Sequence, residues 1–158
     1  MIVYRISKTK NIKDLSGTGA RIFGGRWNNK GVSIVYASES RALATLEYLV
    51  HVPLSLMPTD LSLASIKIPD SIVSKNILIS KLPKNWRDYP APSRLVKIGS
   101  DWVLSNETLL LRVPSAIVKD EFNILLNPAH GDMNRVKVVD VEKYKVDERL
   151  IKQDAGYK

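Results

Sequence analysis

The stretch Gly24-Gly25-Arg26-Trp27-Asn28-Asn29-Lys30-Gly31 runs directly into Val32-Ser33-Ile34-Val35-Tyr36-Ala37 and then Ser38-Glu39. Two adjacent glycines let the backbone take dihedrals closed to residues with a Cβ, and let a ligand approach the main chain closely. Arg26 carries a planar fork of five donors suited to phosphate. Asn28 and Asn29 tolerate left-handed turns, and Gly31 can close one. Loop, strand and helix start follow in that order, which sets an anion-friendly loop beside a buried scaffold.

Downstream of the loop, Ser38 is the expected helix N-cap, with Glu39 set against the positive end of the dipole. Ala42, Leu43, Leu46, Leu49 and Val50 fall on one stripe at helical spacing. Glu47 lies on the shoulder of that stripe, His51 is one turn beyond it, and Pro53 ends the helix. A carboxylate on such a border is either a solvated helix residue or the lining of a cleft. Upstream, Ile2-Val3-Tyr4-Arg5-Ile6 alternates as a first strand, with Ile2, Tyr4 and Ile6 inward and Arg5 on the solvated side. Lys8 to Ala20 reads as a polar loop.

Beyond residues 54–58, a loop, the segment from Leu61 to Ile68 is strand-like, although its alternation slips at Ala64-Ser65. Ile77-Leu78-Ile79 matches neither period. Pro83 to Pro92, rich in proline and aromatics, is expected as a surface excursion. Ser93 caps a helix to about Asn106, with Leu95, Ile98, Trp102 and Val103 inward and Gly99 weakening it. Leu109 to Pro114, Phe122 to Leu126 and Val136 to Val146 complete the strands, and the residues from Gln153 onward are expected to fray. Strands outnumber helices. The expected fold is α+β in one domain, a mostly antiparallel sheet with helices packed on it, spanning residues 1–150 with a tail at 151–158.

Bulk properties narrow the chemistry. A chain of 158 residues is long enough for one domain to bury a core without staples. It has no cysteine, which excludes disulfides, thiolate metal sites and cysteine nucleophiles. Its two histidines, His51 and His130, are too few for a histidine-rich metal site, and no metal is expected. There is no signal-like opening and no apolar run of spanning length, so no membrane is expected and a cytoplasmic location is the default. The net charge of +8 and isoelectric point near 9.7 favour anionic ligands. Lys and Arg are scattered, however, without the stripe or aromatic stacking set of a basic nucleic-acid-binding module.

No phosphate-binding P-loop, HExxH or Gly-x-Ser-x-Gly elbow occurs. Gly17-Thr18-Gly19-Ala20 is not a dinucleotide fingerprint, because no strand feeds it and no helix is expected to start there. What remains is a spread-out set of Arg5, Arg26, Tyr36, Glu47 and Ser115. Each has a plain structural alternative: a solvated arginine, a turn cap, a core ring, a solvated acid and a turn serine after proline.

The order of certain blocks adds to that reading. Tyr4-Arg5-Ile6, Gly17-Thr18-Gly19-Ala20, Gly24-Gly25-Arg26-Trp27-Asn28, Tyr36-Ala37-Ser38-Glu39 and Ala42 to Glu47 together resemble the RES-domain family. Gly99-Ser100-Asp101-Trp102, Val113-Pro114-Ser115, Asn123 and Leu126-Asn127-Pro128-Ala129-His130 extend the likeness to nearly the whole chain. The arginine, glutamate and serine that name the family match Arg26, Glu47 and Ser115. The resemblance implies the toxin of a type II toxin–antitoxin pair that depletes NAD, with a fold similar to ADP-ribosyltransferase toxins. It also implies an Xre-type helix-turn-helix antitoxin that blocks the active site, so that nucleic acid is met only through that partner. NAD would be the substrate, with no cofactor. On that reading Glu47 stabilises a cationic ribose. Arg26 grips the diphosphate, helped by main-chain N–H groups of the loop at Gly25. Arg5 is a second phosphate or ribose contact, and Tyr36 offers a ring and a hydroxyl. Ser115 bonds substrate or holds Arg26 or Glu47, without acting as a nucleophile. An ADP-ribosyltransferase acting on protein or nucleic acid is the nearest alternative.

Overall fold

The computed structural model describes residues 1–52 and 56–151. The expected helix stop at Pro53, the start of the 54–58 loop and the tail from Gln153 lie outside the described residues. Seven strands form one sheet: β1 (Ile2–Lys8), β2 (Val35–Ser38), β3 (Leu61–Lys67), β4 (Ser74–Asn76), β5 (Leu110–Pro114), β6 (Phe122–Leu126) and β7 (Lys137–Lys143). Their order is β4-β5-β6-β2-β1-β3-β7. Every pairing is antiparallel except β4 with β5. Among the described residues, four α-helices accompany the sheet: α1 (Thr18–Phe23), α2 (Arg41–Leu49), α3 (Ser93–Ser105) and α4 (Glu148–Ile151). The class is α+β in a single domain.

Both faces of the sheet are covered, which is why several strands read as continuous apolar runs instead of alternating. Val3, Val35, Ala37, Ala64, Ile66, Leu110, Ile124 and Leu126 pack on one face with Ile12 and Val136. On the other, Leu111, Val113 and Leu125 meet Trp27, Trp86, Leu95 and Trp102, while Ile6, Leu61 and Leu63 meet Ala44. Each fully buried leucine or isoleucine there contributes about 1.5–3 kcal/mol. This two-sided burial corrects the reading of β1: Val3 is fully buried rather than solvated, and Ile2 is exposed. The slip seen at Ala64-Ser65 is a bulge. Ser65 pairs with Asp140 and Ile66 with Val138, which leaves Val139 of β7 unpaired.

The sheet is nearly divided in two. β1 pairs with β3 through seven residues, from Ile2 opposite Lys67 to Lys8 opposite Leu61. Against β2 it pairs only at Tyr4 opposite Ser38. Past that point the central strands part, and a cleft of about 190 Å³ opens between Arg5, Ile6 and Ser7 on one side and Ile34, Val35 and Tyr36 on the other. Gly17, Gly19 and Ala20 line its rim. A short helix, α1, does start at Thr18, where none was expected.

Several local expectations shift. Strand β2 runs on through Ser38, so the cap of α2 is Ser40, whose hydroxyl accepts from the Leu43 N–H at 3.0 Å. Glu39 serves no helix start; it pairs with Arg112 on β5. The inward side of α2 is Leu43 and Ala44, with Glu47, Tyr48 and Leu49 half-buried. Ala42, Leu46 and Val50 face solvent, so the expected stripe is rotated and Glu47 belongs to the covered side. Helix α3 has Pro92 at its N-cap position and no side-chain cap, with Ser93 already helical. Strand β4 was not anticipated; its extended line continues to Ile77, whose N–H donates to the Arg112 carbonyl.

Candidate active site

The Gly24–Gly31 loop closes on itself. The Gly25 N–H donates to the Asn28 carbonyl at 3.0 Å and the Asn28 N–H returns to the Gly25 carbonyl, which leaves Arg26 and Trp27 at the tip of a tight turn. Asn28 is 1% exposed. Its side-chain amide donates to the carbonyls of Ala20, Asn29 and Val32, and its Oδ1 accepts from the Tyr36 hydroxyl at 2.7 Å. That hydroxyl in turn accepts from the Trp27 N–H at 3.1 Å. Asn28 therefore holds the loop by its side chain; it does not supply the left-handed residue expected of it.

Two glycines explain the close packing. A Cβ on Gly25 would come within 2.7 Å of the Tyr36 hydroxyl and 2.9 Å of Asn28 Oδ1. A Cβ on Gly99 of α3 would stand 2.0 Å from the Trp27 carbonyl oxygen. Gly99 thus lets α3 approach the arginine turn, a use that outweighs its cost to the helix. Ser100, next along, accepts the Asn29 N–H at 3.0 Å.

This geometry bears on two expected roles. The main-chain N–H groups of Gly24, Gly25, Trp27, Asn28, Asn29 and Gly31 all bond within the protein, so what the structure shows of Gly25 is a spacer whose N–H is already engaged. The Tyr36 hydroxyl has both a donor and an acceptor partner, so it orients the loop while the side chain lines the cleft. Burial pushes its phenol far above the ordinary value of 10.0.

Arg26 is held by carbonyls. Its guanidinium donates to Trp86 O at 2.8 Å and Asp88 O at 3.2 Å. The 83–92 segment is therefore part of the site and not a mere surface excursion; Trp86 is 6% exposed and packs in the core. These contacts use two of the five guanidinium donors. Burial pulls the Arg26 pKa below its usual value, opposed by the charge of Glu47 foremost, then by Tyr36 and Asp88. Arginine stays protonated under such conditions.

Glu47 is held by side chains. Ser115 Oγ donates to Glu47 Oε1 at 2.9 Å, and Asn123 Nδ2 donates to the same oxygen at 2.5 Å. Ser115, 1% exposed just past the end of β5, accepts the N–H groups of Ile117 and Val118, each at 3.1 Å. Its hydroxyl proton faces a carboxylate and, among the described residues, no histidine is bonded to it, which fits a holding role and not a nucleophile. Glu47 Oε2 has no hydrogen-bond partner among the described residues.

The structure thus brings Glu47, Ser115, Arg26 and Tyr36 to one side of the sheet, with Gly25 as spacer. Arg5 stands apart on β1, where its guanidinium donates to the Asp14 carbonyl, lines the cleft and has its pKa lowered by burial, with Asp14 opposing. It is not the solvated residue that alternation suggested. Asn123 was part of the resemblance but had no assigned role; an asparagine inside the apolar run Phe122 to Leu126 was its only signal. The described residues hold no group of three or more His, Asp or Glu side chains placed for a metal ion. No described helix is long and apolar enough to cross a membrane.

A small α+β domain with a parted central sheet, and with an anchored carboxylate in the field of an arginine, defines the class. The chain belongs to the RES-domain family, whose model matches residues 2–147. It is 43% identical over 149 residues to the "Prs ADP-ribosylating toxin" of Sphingobium sp. strain YBL2, covering 93% of this chain and 92% of that protein. It is also 43% identical to a "Toxin Res" of Photorhabdus laumondii, covering 96% of this chain and 98% of the relative. A "Toxin Res" of Pseudomonas putida is 36% identical, with coverage of 95% and 99%. The fold matches a chain in the crystal structure of the M. tuberculosis MbcT-MbcA toxin-antitoxin complex with a TM-score of 0.73. That match has 17% identity and covers 95% of this chain and 86% of the other.

Proposed function

We propose that this protein is the toxin of a toxin–antitoxin pair and that it consumes NAD by breaking the nicotinamide–ribose bond. One observation carries the reading: Glu47 is anchored through Oε1, with Oε2 unbonded among the described residues, within the field of Arg26. When the C1′–N bond breaks, its electron pair passes to the ring nitrogen and neutral nicotinamide departs. The ribose carbon becomes cation-like, and a fixed carboxylate beside it stabilises that charge more in the transition state than in the ground state. An oxygen of water or inorganic phosphate then bonds to C1′; with water, the surplus proton leaves to solvent.

The remaining donors of Arg26 grip the diphosphate. The cleft of about 190 Å³ is smaller than usual ligand pockets of about 300–1,000 Å³, so it takes one end of the dinucleotide while the rest runs past the arginine turn. Arg5, on the cleft wall, contacts ribose or phosphate, and Tyr36 supplies an apolar surface. NAD is the substrate and no cofactor is required. The partner is an antitoxin of the Xre helix-turn-helix type that covers the site in the cytoplasm and alone meets nucleic acid.

A second reading is favoured by the name of the Sphingobium relative: transfer of ADP-ribose to a macromolecule through the same site. The test is to incubate purified protein with adenylate-labelled NAD, alone and with cell lysate. Release of nicotinamide with free ADP-ribose or its phosphate is expected. Label retained on protein or nucleic acid would move the assignment to transfer, and intact NAD in both mixtures would overturn the proposal.

A further inference from the structure

Asn123 is the polar residue of β6 that the apolar run leaves unexplained. Ser38 pairs with Asn123 across β2–β6, and Val113 pairs with it across β5–β6, so the three share one sheet face. Ser115 lies two residues past Val113, just beyond the end of the same strand. Helix α2 covers this face and lowers Glu47 onto it. The amide of Asn123 is therefore enclosed between a serine hydroxyl below and a carboxylate above.

Its orientation is fixed by chemistry. Ser38 Oγ, 3% exposed in its residue, donates to Asn123 Oδ1 at 2.7 Å. Asn123 Nδ2 donates to Glu47 Oε1. Turning the amide over would aim its oxygen at a carboxylate oxygen and its NH₂ at the serine, exchanging a charge-assisted bond for a repulsion. Ser115 reaches the same carboxylate oxygen. With two donors on Oε1, the carboxylate cannot rotate without losing both, and Oε2 has no hydrogen-bond partner among the described residues.

We infer that Asn123, aimed by Ser38, is a positioning residue that locks the Glu47 carboxylate with Oε2 presented to the substrate. The inference rests on the proposed NAD reaction and goes beyond it, because it assigns how one oxygen of the acid is selected. A carboxylate held by two side-chain donors is pre-organised before substrate arrives, which is where electrostatic stabilisation gains most.

The test combines kinetics with a signal that needs no turnover. Asn123→Asp keeps the size of the side chain but sets an oxygen against Glu47. It is expected to lower kcat for NAD about a hundredfold with KM changed by less than about twofold. Ser38→Ala frees the amide and is expected to lower kcat about tenfold, again with KM held. A loss confined to KM, or wild-type kcat in Asn123→Asp, overturns the inference. Independently, the side-chain amide resonances of Asn123 in ¹⁵N-labelled protein are expected to shift in Glu47→Gln and in Ser38→Ala. Unmoved resonances in both variants overturn the inference even if NAD is consumed. If the wild-type protein leaves NAD intact, the proposed reaction fails instead, and the amide resonances alone decide the arrangement.

Discussion

The corner around Glu47 and the turn around Arg26 solve the same problem in opposite ways. Glu47 is fixed by the side chains of Ser115 and Asn123, which arrive from 68 and 76 residues away. Arg26 sits on a turn closed by its own neighbours, and its distant partners, Trp86 and Asp88, offer only main-chain carbonyls. Side-chain donors select one oxygen of a carboxylate and hold it. Carbonyls leave a guanidinium with donors to offer. On the proposed reaction, that difference suits the acid to act as the rigid reacting group and the arginine as the ligand grip.

Substitutions should separate the two regions. The largest effect is expected at the acid: Glu47→Gln keeps the shape, removes the charge and should lower NAD turnover by about a hundredfold or more. Thermal unfolding of that variant should stay near wild type, because the loss is chemical; comparable turnover would remove the acid from the mechanism. Next comes the support of the arginine turn. Gly99→Ala places a methyl against the Trp27 carbonyl, and denaturant unfolding should show a loss of about 1–3 kcal/mol. Unchanged stability would mean that α3 does not brace the turn.

Smaller effects are expected at the grip and its hinge. Arg26→Lys replaces a fork by a point charge and should raise KM for NAD about tenfold while kcat changes less. Tyr36→Phe removes two hydrogen bonds and leaves buried Asn28 Oδ1 unpaired, which should cost about 1–2 kcal/mol. The tyrosine also predicts a pH dependence. Its folded pKa lies above the ordinary 10.0, so its contribution is fully present below about pH 10 and declines as pH rises beyond it, where only the unfolded chain ionises. Stability measured from pH 9 to 11 should fall more steeply in wild type than in Tyr36→Phe.

The two regions also differ in how far the sequence revealed them. Gly-Gly-Arg-Trp-Asn is contiguous, and a tight turn presenting an arginine follows from local backbone chemistry. What that block could not reveal is that its N–H groups bond inward, since Ser100 and the Tyr36 hydroxyl come from elsewhere. The 83–92 segment looked detached because a carbonyl has no sequence signature. For the acid, periodicity located the helix but turned it: exposed Leu46 and Val50 were assigned to the core, and the buried side was set by what the sheet required. Asn123 could not be placed without the register that sets it beside Ser38. That pairing joins residues 85 apart, and no local pattern encodes it.

In the proposed reaction the acid and the arginine act on one dinucleotide. Calorimetric binding of NAD to Glu47→Gln, and to Glu47→Gln with Arg26→Lys added, tests it without interference from turnover. The single variant is expected to bind NAD and leave it intact, and adding Arg26→Lys is expected to weaken the affinity about tenfold. Equal affinity in the two proteins, or no binding by the first, would contradict it.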